Sequence, residues 1–115
     1  MEESAYQHLA DAAFRRIEQA FADVDADDVD CERAGDVVTL TLKGGKKCVV
    51  NTQRPTRQIW LAANARAWHF TWDERAKTWL DDKGQTNADG TPVDLFGALR
   101  RIIRDSIGID VALSG

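Results

Sequence analysis

The sequence predicts an α+β fold: a two-layer α/β sandwich with the N- and C-terminal helices packed on one face of a roughly six-stranded antiparallel sheet. Three observations carry this reading. Apolar residues recur at three- and four-residue steps at both ends of the chain. Between those ends lie short segments in which polar and apolar positions alternate. The links between the segments are short and turn-rich, which favours hairpins and so antiparallel pairing.

The first helix is expected over residues 4–24. Tyr6, Leu9, Ala10, Ala13, Ile17, Ala20, Phe21 and Val24 form its buried stripe, and Ser4 is the expected N-cap. Glu3, Gln7, Asp11, Arg15, Glu18 and Asp25 make the solvated stripe opposite. Residues 23–28 form an acidic connection. In the first strand, 29–33, Val29 and Cys31 point one way and Asp28, Asp30 and Glu32 the other.

Ala34-Gly35-Asp36 turns the chain into a strand over 37–42, with Val38, Leu40 and Leu42 on one face. Lys43-Gly44-Gly45-Lys46 reads as a tight hairpin, because glycines accept the positive φ such turns need. Residues 47–51 return. A turn marked by Pro55 leads to a strand over 57–62, and a loop at 63–66 leads to one over 67–72. There Trp68, Phe70 and Trp72 alternate with His69 and Thr71. A short strand over 77–80 ends in a turn at 81–84. For the closing helix, Thr91 is the expected N-cap, Pro92 the first helical residue and Asp94 the acid of a capping box. Leu95, Phe96, Leu99, Ile102 and Ile103 form its buried stripe, Arg100, Arg101 and Arg104 face water or its C-terminal end, and Gly108 stops it.

A chain of 115 residues is expected to be one domain, 1–115. With 43% apolar residues it can bury a core, which argues against global disorder. Met1-Glu2-Glu3-Ser4 is acidic and no apolar run follows it, so no secretory signal is expected. No apolar stretch approaches the roughly 20 residues of a membrane span, and the expected location is cytoplasmic. Cys31 and Cys48 show neither a Cys-x-x-Cys motif nor a histidine at zinc spacing. They read as reduced core thiols, with a disulfide left open.

Charge is unevenly placed. Residues 1–36 hold 11 acidic and 3 basic residues, and residues 37–115 hold 8 and 12. So acidic a front half is a poor partner for phosphate backbones, and nucleic acid is not an expected ligand. It suits cations or a basic protein surface. No Ser/His/Asp or Cys/His constellation and no glycine-rich phosphate loop is evident, so an enzyme is not expected.

The most informative stretch runs from Asn51 to Ala62. Alternation puts Asn51 and Gln53 on one face, and Gln58 and Trp60 on one face across the turn, while Ile59 and Leu61 point to the core. The outward face then shows Asn51, Gln53, Gln58, Trp60 and His69. A tryptophan ringed by amides suits a protein contact, because tryptophan is frequent among binding hot spots and amides both donate and accept.

These residues resemble the frataxin family in its short bacterial form. The resemblance rests on Leu9-Ala10-Asp11, Val29-Asp30-Cys31-Glu32 and Asn51-x-Gln53-x-Pro55-x-x-Gln58-Ile59-Trp60-Leu61-Ala62. Trp68-His69-Phe70, Trp79 and Asp94-Leu95 add to it, and it covers almost the whole chain. It implies weak iron binding on an acidic ridge: Asp11, Glu18, Asp23, Asp25, Asp27, Asp28, Asp30 and Glu32. It also implies docking on the cysteine desulfurase and scaffold protein that make iron–sulfur clusters, through Asn51, Gln53, Gln58 and Trp60 with His69 nearby.

The chain departs from the family pattern at Gln7, where a histidine is frequent and here follows as His8, and at Gln19 and Ala22, which are often acidic. The ridge is thinner as a result. Exposed carboxylates are hard oxygen ligands for ferrous or ferric iron, without an enclosing cavity. Any oxidation of iron there would be incidental. No cluster is expected on this chain, because one typically needs four thiolates. The resemblance points to an iron-responsive regulator or iron donor, monomeric unless iron drives oligomers. Two alternatives stand beside it: an iron-storing or iron-oxidising protein acting through oligomers, and a protein-interaction module independent of iron.

Overall fold

The computed structural model describes residues 1–114. Its elements run in chain order as α1 (Glu3–Ala22), β1 (Val29–Ala34), β2 (Val37–Leu42), β3 (Lys47–Gln53), a single 3-10 turn (Arg54–Thr56), β4 (Gln58–Ala63), β5 (Arg66–Asp73), β6 (Thr78–Asp81) and α2 (Leu95–Ile107). The six strands lie in sequence order, β1 to β6, and every pair is antiparallel. Neighbouring hairpins alone can build such a sheet, so it needs no crossover.

Both helices cover one face of the sheet. Val38, Leu40, Val50, Ile59, Leu61 and Phe70 point up from the strands, each 0% exposed. Tyr6, Phe14 and Ile17 of α1 and Leu95, Leu99 and Ile103 of α2 meet them. The alternation read along the strands is therefore the alternation between core and solvent. Tyr6 does more than fill space. Its hydroxyl donates to the Gln58 carbonyl (2.6 Å) and pins α1 to the start of β4. Its ring meets Trp79 edge to face, with centroids 6.0 Å apart.

Two helix starts differ from expectation. α1 begins at Glu3, and the Ser4 hydroxyl bonds the Glu2 carboxylate rather than capping. α2 begins at Leu95 with Asp94 as its N-cap, the Asp94 carboxylate accepting from the Gly97 N–H (3.3 Å). Thr91 and Pro92 lie outside the helix. Pro92 bridges to Thr86, and the Val93 carbonyl accepts from the Asp81 N–H (2.9 Å). Tertiary hydrogen bonds thus hold this segment extended along β6, against the local capping signal, and cover part of an otherwise open sheet edge.

The link between β4 and β5 is a two-residue turn. Asn64 and Ala65 have φ of 53° and 60°, both left-handed, and Ala63 pairs with Arg66 across them. That is a type I′ hairpin, which fixes the register of β4 against β5.

Candidate functional site

Residues directly opposite in a sheet share a face. Asn51 stands opposite Trp60, and Trp60 opposite His69. Asp82 continues this row beyond β6, its N–H donating to the His69 carbonyl (2.9 Å). A second row runs Gln53, Gln58, Thr71 and Leu80. All five residues expected on the outward face are therefore side by side on it, each half-buried.

Three of these side chains, Gln58, Trp60 and His69, are linked to one another and to Thr71 and Asp82. The Trp60 and His69 rings stack with centroids 4.1 Å apart and planes 11° from parallel. The Trp60 Nε1–H donates to Gln58 Oε1 (2.9 Å). Gln58 Nε2 donates to Asp82 Oδ2 (3.0 Å) and Thr71 Oγ1 (3.2 Å). Asp82 Oδ2 lies 3.9 Å from His69 Nδ1. Gln58 is thus occupied in holding its neighbours, and the surface it leaves is a flat aromatic plate flanked by Asn51 and Gln53.

The carboxylates lie on both sides of the β1 edge, and Glu18 and Asp30 border one groove along it. Asp30 stands opposite Thr41, which stands opposite Lys47. Glu32 heads a row through Thr39, Val49 and Ala62. Both therefore point to the outer face, the same face as Trp60, and the row of Glu32 lies one pleat from the row of Asn51. Asp11 and Glu18 belong to the helix layer on the other side of the β1 edge. The connection from Asp23 to Asp28 rounds the corner between them, wound by Asp27 N–H to Asp25 Oδ1 (2.9 Å) and Val29 N–H to the Asp25 carbonyl (3.0 Å).

Arg33 decides what the upper end can do. It alternates with Glu32 and so points inward, where it reaches α1. Its Nη2 lies 2.6 Å from Asp11 Oδ1 and its Nη1 3.2 Å from Glu18 Oε1, with the guanidinium 5.2 Å above the Phe14 ring. Arg15 adds a contact to Asp11 at 3.0 Å. The hydrogen bond from Arg33 holds the Asp11 carboxyl below the usual range, and that same bond raises the Arg33 pKa. Asp11 and Glu18 thereby share one guanidinium, while each keeps more than two fifths of its side chain exposed. Among the described residues, no three His, Cys, Asp or Glu side chains converge to hold one ion. What the acidic side can offer is scattered carboxylate oxygens, suited to weak cation binding.

The frataxin-like domain family matches residues 1–108 of the chain. The iron–sulfur cluster assembly protein CyaY of Pseudomonas aeruginosa is 34% identical over 115 residues, covering 100% of this chain and 99% of the relative. The chain belongs to the bacterial, CyaY-type frataxins. The protein of the same name from Tolumonas auensis is 38% identical over 84 residues, which is 73% of this chain and 78% of that one. The solved structure of frataxin from Psychromonas ingrahamii superposes with a TM-score of 0.82 at 25% identity, covering 100% of both chains. The two-helix, six-stranded architecture expected from the sequence is that of this frataxin neighbour.

In this frataxin both cysteines are free. Cys31 and Cys48 stand opposite the same residue, Leu40, from either side. Two strand spacings, about 10 Å, separate their backbones, too far for a disulfide. Burial pushes each thiol up to about 11, with Glu18 and Asp30 adding at Cys31, so both stay protonated at neutral pH. Among the described residues, no helix is long and apolar enough to cross a membrane.

The sequence reading missed two side chains that organise this surface, Arg33 and Asp82. For Arg33 a signal was present: alternation puts a cation on the inward side of an edge strand, where it needs a carboxylate from the covering helix. For Asp82 there was none, since a turn residue gives no hint of which row it will join.

Proposed function

We propose that this protein serves iron–sulfur cluster assembly as an iron-responsive regulator or iron donor, binding the cysteine desulfurase and its scaffold protein in the cytoplasm. The observation that carries the reading is the outer sheet face. It joins the Trp60–His69 plate, flanked by Asn51 and Gln53, to the carboxylates of Asp30 and Glu32 on the same surface. Such a face offers a partner an aromatic anchor and, beside it, negative charge for a basic patch. The names of the relatives support cluster assembly as the process.

Iron enters as cargo. The exposed Asp23, Asp25 and Asp27, with Asp28, Asp30 and Glu32, are the oxygen donors open to it. Asp11 and Glu18 join only when Arg33 gives way. Iron and a basic partner then compete for, or share, the carboxylates beside the plate. The role is one of binding, without a shaped active site.

The test mixes the protein with the desulfurase, with and without ferrous iron, and follows sulfide release. Binding with an iron-dependent change of rate is expected; neither binding nor a rate change refutes the proposal. Trp60→Ala should weaken the complex about 30-fold or more, the equivalent of the 2 kcal/mol that defines a hot spot, while folding and iron titration hold. A collapsed fold would make Trp60 structural instead. Changing Asp27, Asp28 and Asp30 together to Asn should lower iron affinity, and an unchanged titration would place iron elsewhere.

A further inference from the structure

We infer that Asp82 is a positioning residue of the partner surface: through Gln58 it fixes the orientation of the Trp60 ring before any partner arrives. The inference rests on the partner reading above, but its geometry stands independently.

Trp60 sits mid-strand on an open sheet face, where an indole has no packed layer above it to choose its rotamer. Two contacts choose it here. One is the 4.1 Å stack on His69, and the other is the Nε1–H bond to Gln58 Oε1. Neither holder is fixed by the core, because Gln58 and His69 lie on the same outer face as Trp60. Both converge on one carboxylate oxygen, Asp82 Oδ2, at 3.0 Å from Gln58 Nε2 and 3.9 Å from His69 Nδ1.

Asp82 itself is anchored by its backbone. Its N–H donates to His69 O, and Asp81 beside it is buried, its carboxylate accepting from the N–H groups of Lys83 and Gln85 (3.1 Å each). A turn held by three backbone N–H groups therefore presents a charge that orients an amide, which orients an indole. The charge also settles which way the Gln58 amide points: its NH2 faces the carboxylate, so its oxygen faces the Trp60 N–H. A side chain already ordered costs less to immobilise on binding.

The experiment compares Asp82→Ala, Asp82→Asn and Gln58→Ala with the unaltered protein. Two readouts are used: the Trp60 indole N–H signal by NMR, assigned by its loss in Trp60→Phe, and affinity for the desulfurase–scaffold complex. In Asp82→Ala the indole N–H should shift toward the free-indole position and exchange faster with water, and affinity should fall about three- to tenfold. Gln58→Ala should match it. Asp82→Asn leaves an oxygen for Gln58 and should fall between Asp82→Ala and the unaltered protein.

An unmoved indole signal in Asp82→Ala overturns the inference. So does a moved signal with unchanged affinity, in a background where Trp60→Ala abolishes binding. If Trp60→Ala binds like the unaltered protein, the partner reading itself has failed, and the indole signal alone then decides whether Asp82 positions the ring. Urea midpoints of each variant separate local loosening from unfolding.

Discussion

Replacing Ala65 by glycine should stabilise this protein, although it deletes a side chain and loosens the unfolded chain. Ala65 is the second residue of the β4–β5 turn, at φ 60°. An L-residue with a Cβ is disfavoured in this left-handed region by about 1–2 kcal/mol, whereas glycine is not. Glycine's extra freedom in the unfolded state takes back about 0.5–1 kcal/mol. The balance is a gain of about 0.5–1 kcal/mol, or about 2–4 °C in Tm for a chain of this size.

Two substitutions calibrate the result. Asn64, at φ 53°, already tolerates this conformation, so Asn64→Gly should leave stability nearly unchanged. Ala62 is an exposed β4 residue, where glycine should destabilise by about 0.5–1 kcal/mol. Urea denaturation of all three, with m-values compared, is the assay. If Ala65→Gly loses stability as Ala62→Gly does, the turn is not strained and the reasoning fails. The turn matters for function because it holds Ala63 opposite Arg66, and with it Trp60 opposite His69. A slip of one residue would send Trp60 to the core face.

Other predictions follow from the contacts around the site. Arg33→Gln should raise the number of weakly bound cations on the acidic side, read by ferrous iron titration, because Asp11 and Glu18 lose their internal counter-ion; an unchanged titration would show that they do not take part. The same variant should have a shallower acid limb. The Asp11 pKa is depressed in the fold, so its stabilising contribution is complete above the unfolded value of about 3.9 and is lost as pH falls through the lower folded value. Urea midpoints at pH 7 and pH 3 test this, and equal losses in both proteins would refute it. Tyr6→Phe keeps the ring but removes the hydroxyl that bonds the Gln58 carbonyl, and should lower stability by about 1 kcal/mol with the m-value unchanged. Asp94→Ala should remove about 1 kcal/mol by uncapping α2, whereas Thr91→Ala, outside the helix, should not reproduce a cap loss; thermal melts of the two variants distinguish them.

Much of the site could be read one strand at a time. Alternation placed Ile59 and Leu61 in the core and Trp60 between them on the other face, since a period of two needs no knowledge of neighbours. The same rule set Asn51, Gln53, Gln58 and His69 outward. It could not say that Gln58 is occupied by Thr71 and Asp82, because those bonds reach side chains 13 and 24 residues away. The start of α2 was misplaced for a related reason. Thr91-Pro92 is a sound local capping signal, but the hydrogen bond from Asp81 to Val93 and the Thr86–Pro92 bridge outweigh it.

Composition and periodicity by themselves determined the order of elements, the sheet that could close with hairpins alone, and which face of each strand meets water. These properties are local, set by spacing along the chain. The tertiary structure decided how the charges are shared. Folding sets the carboxylates of residues 11–32 on both sides of the β1 edge, with Glu18 and Asp30 bordering one groove along it. Asp30 and Glu32 join the tryptophan face, while Asp11 and Glu18 are tied to Arg33. Electrostatic partners are chosen by distance in space, so Arg33 pairs with carboxylates 15 and 22 residues away rather than with its sequence neighbour Glu32.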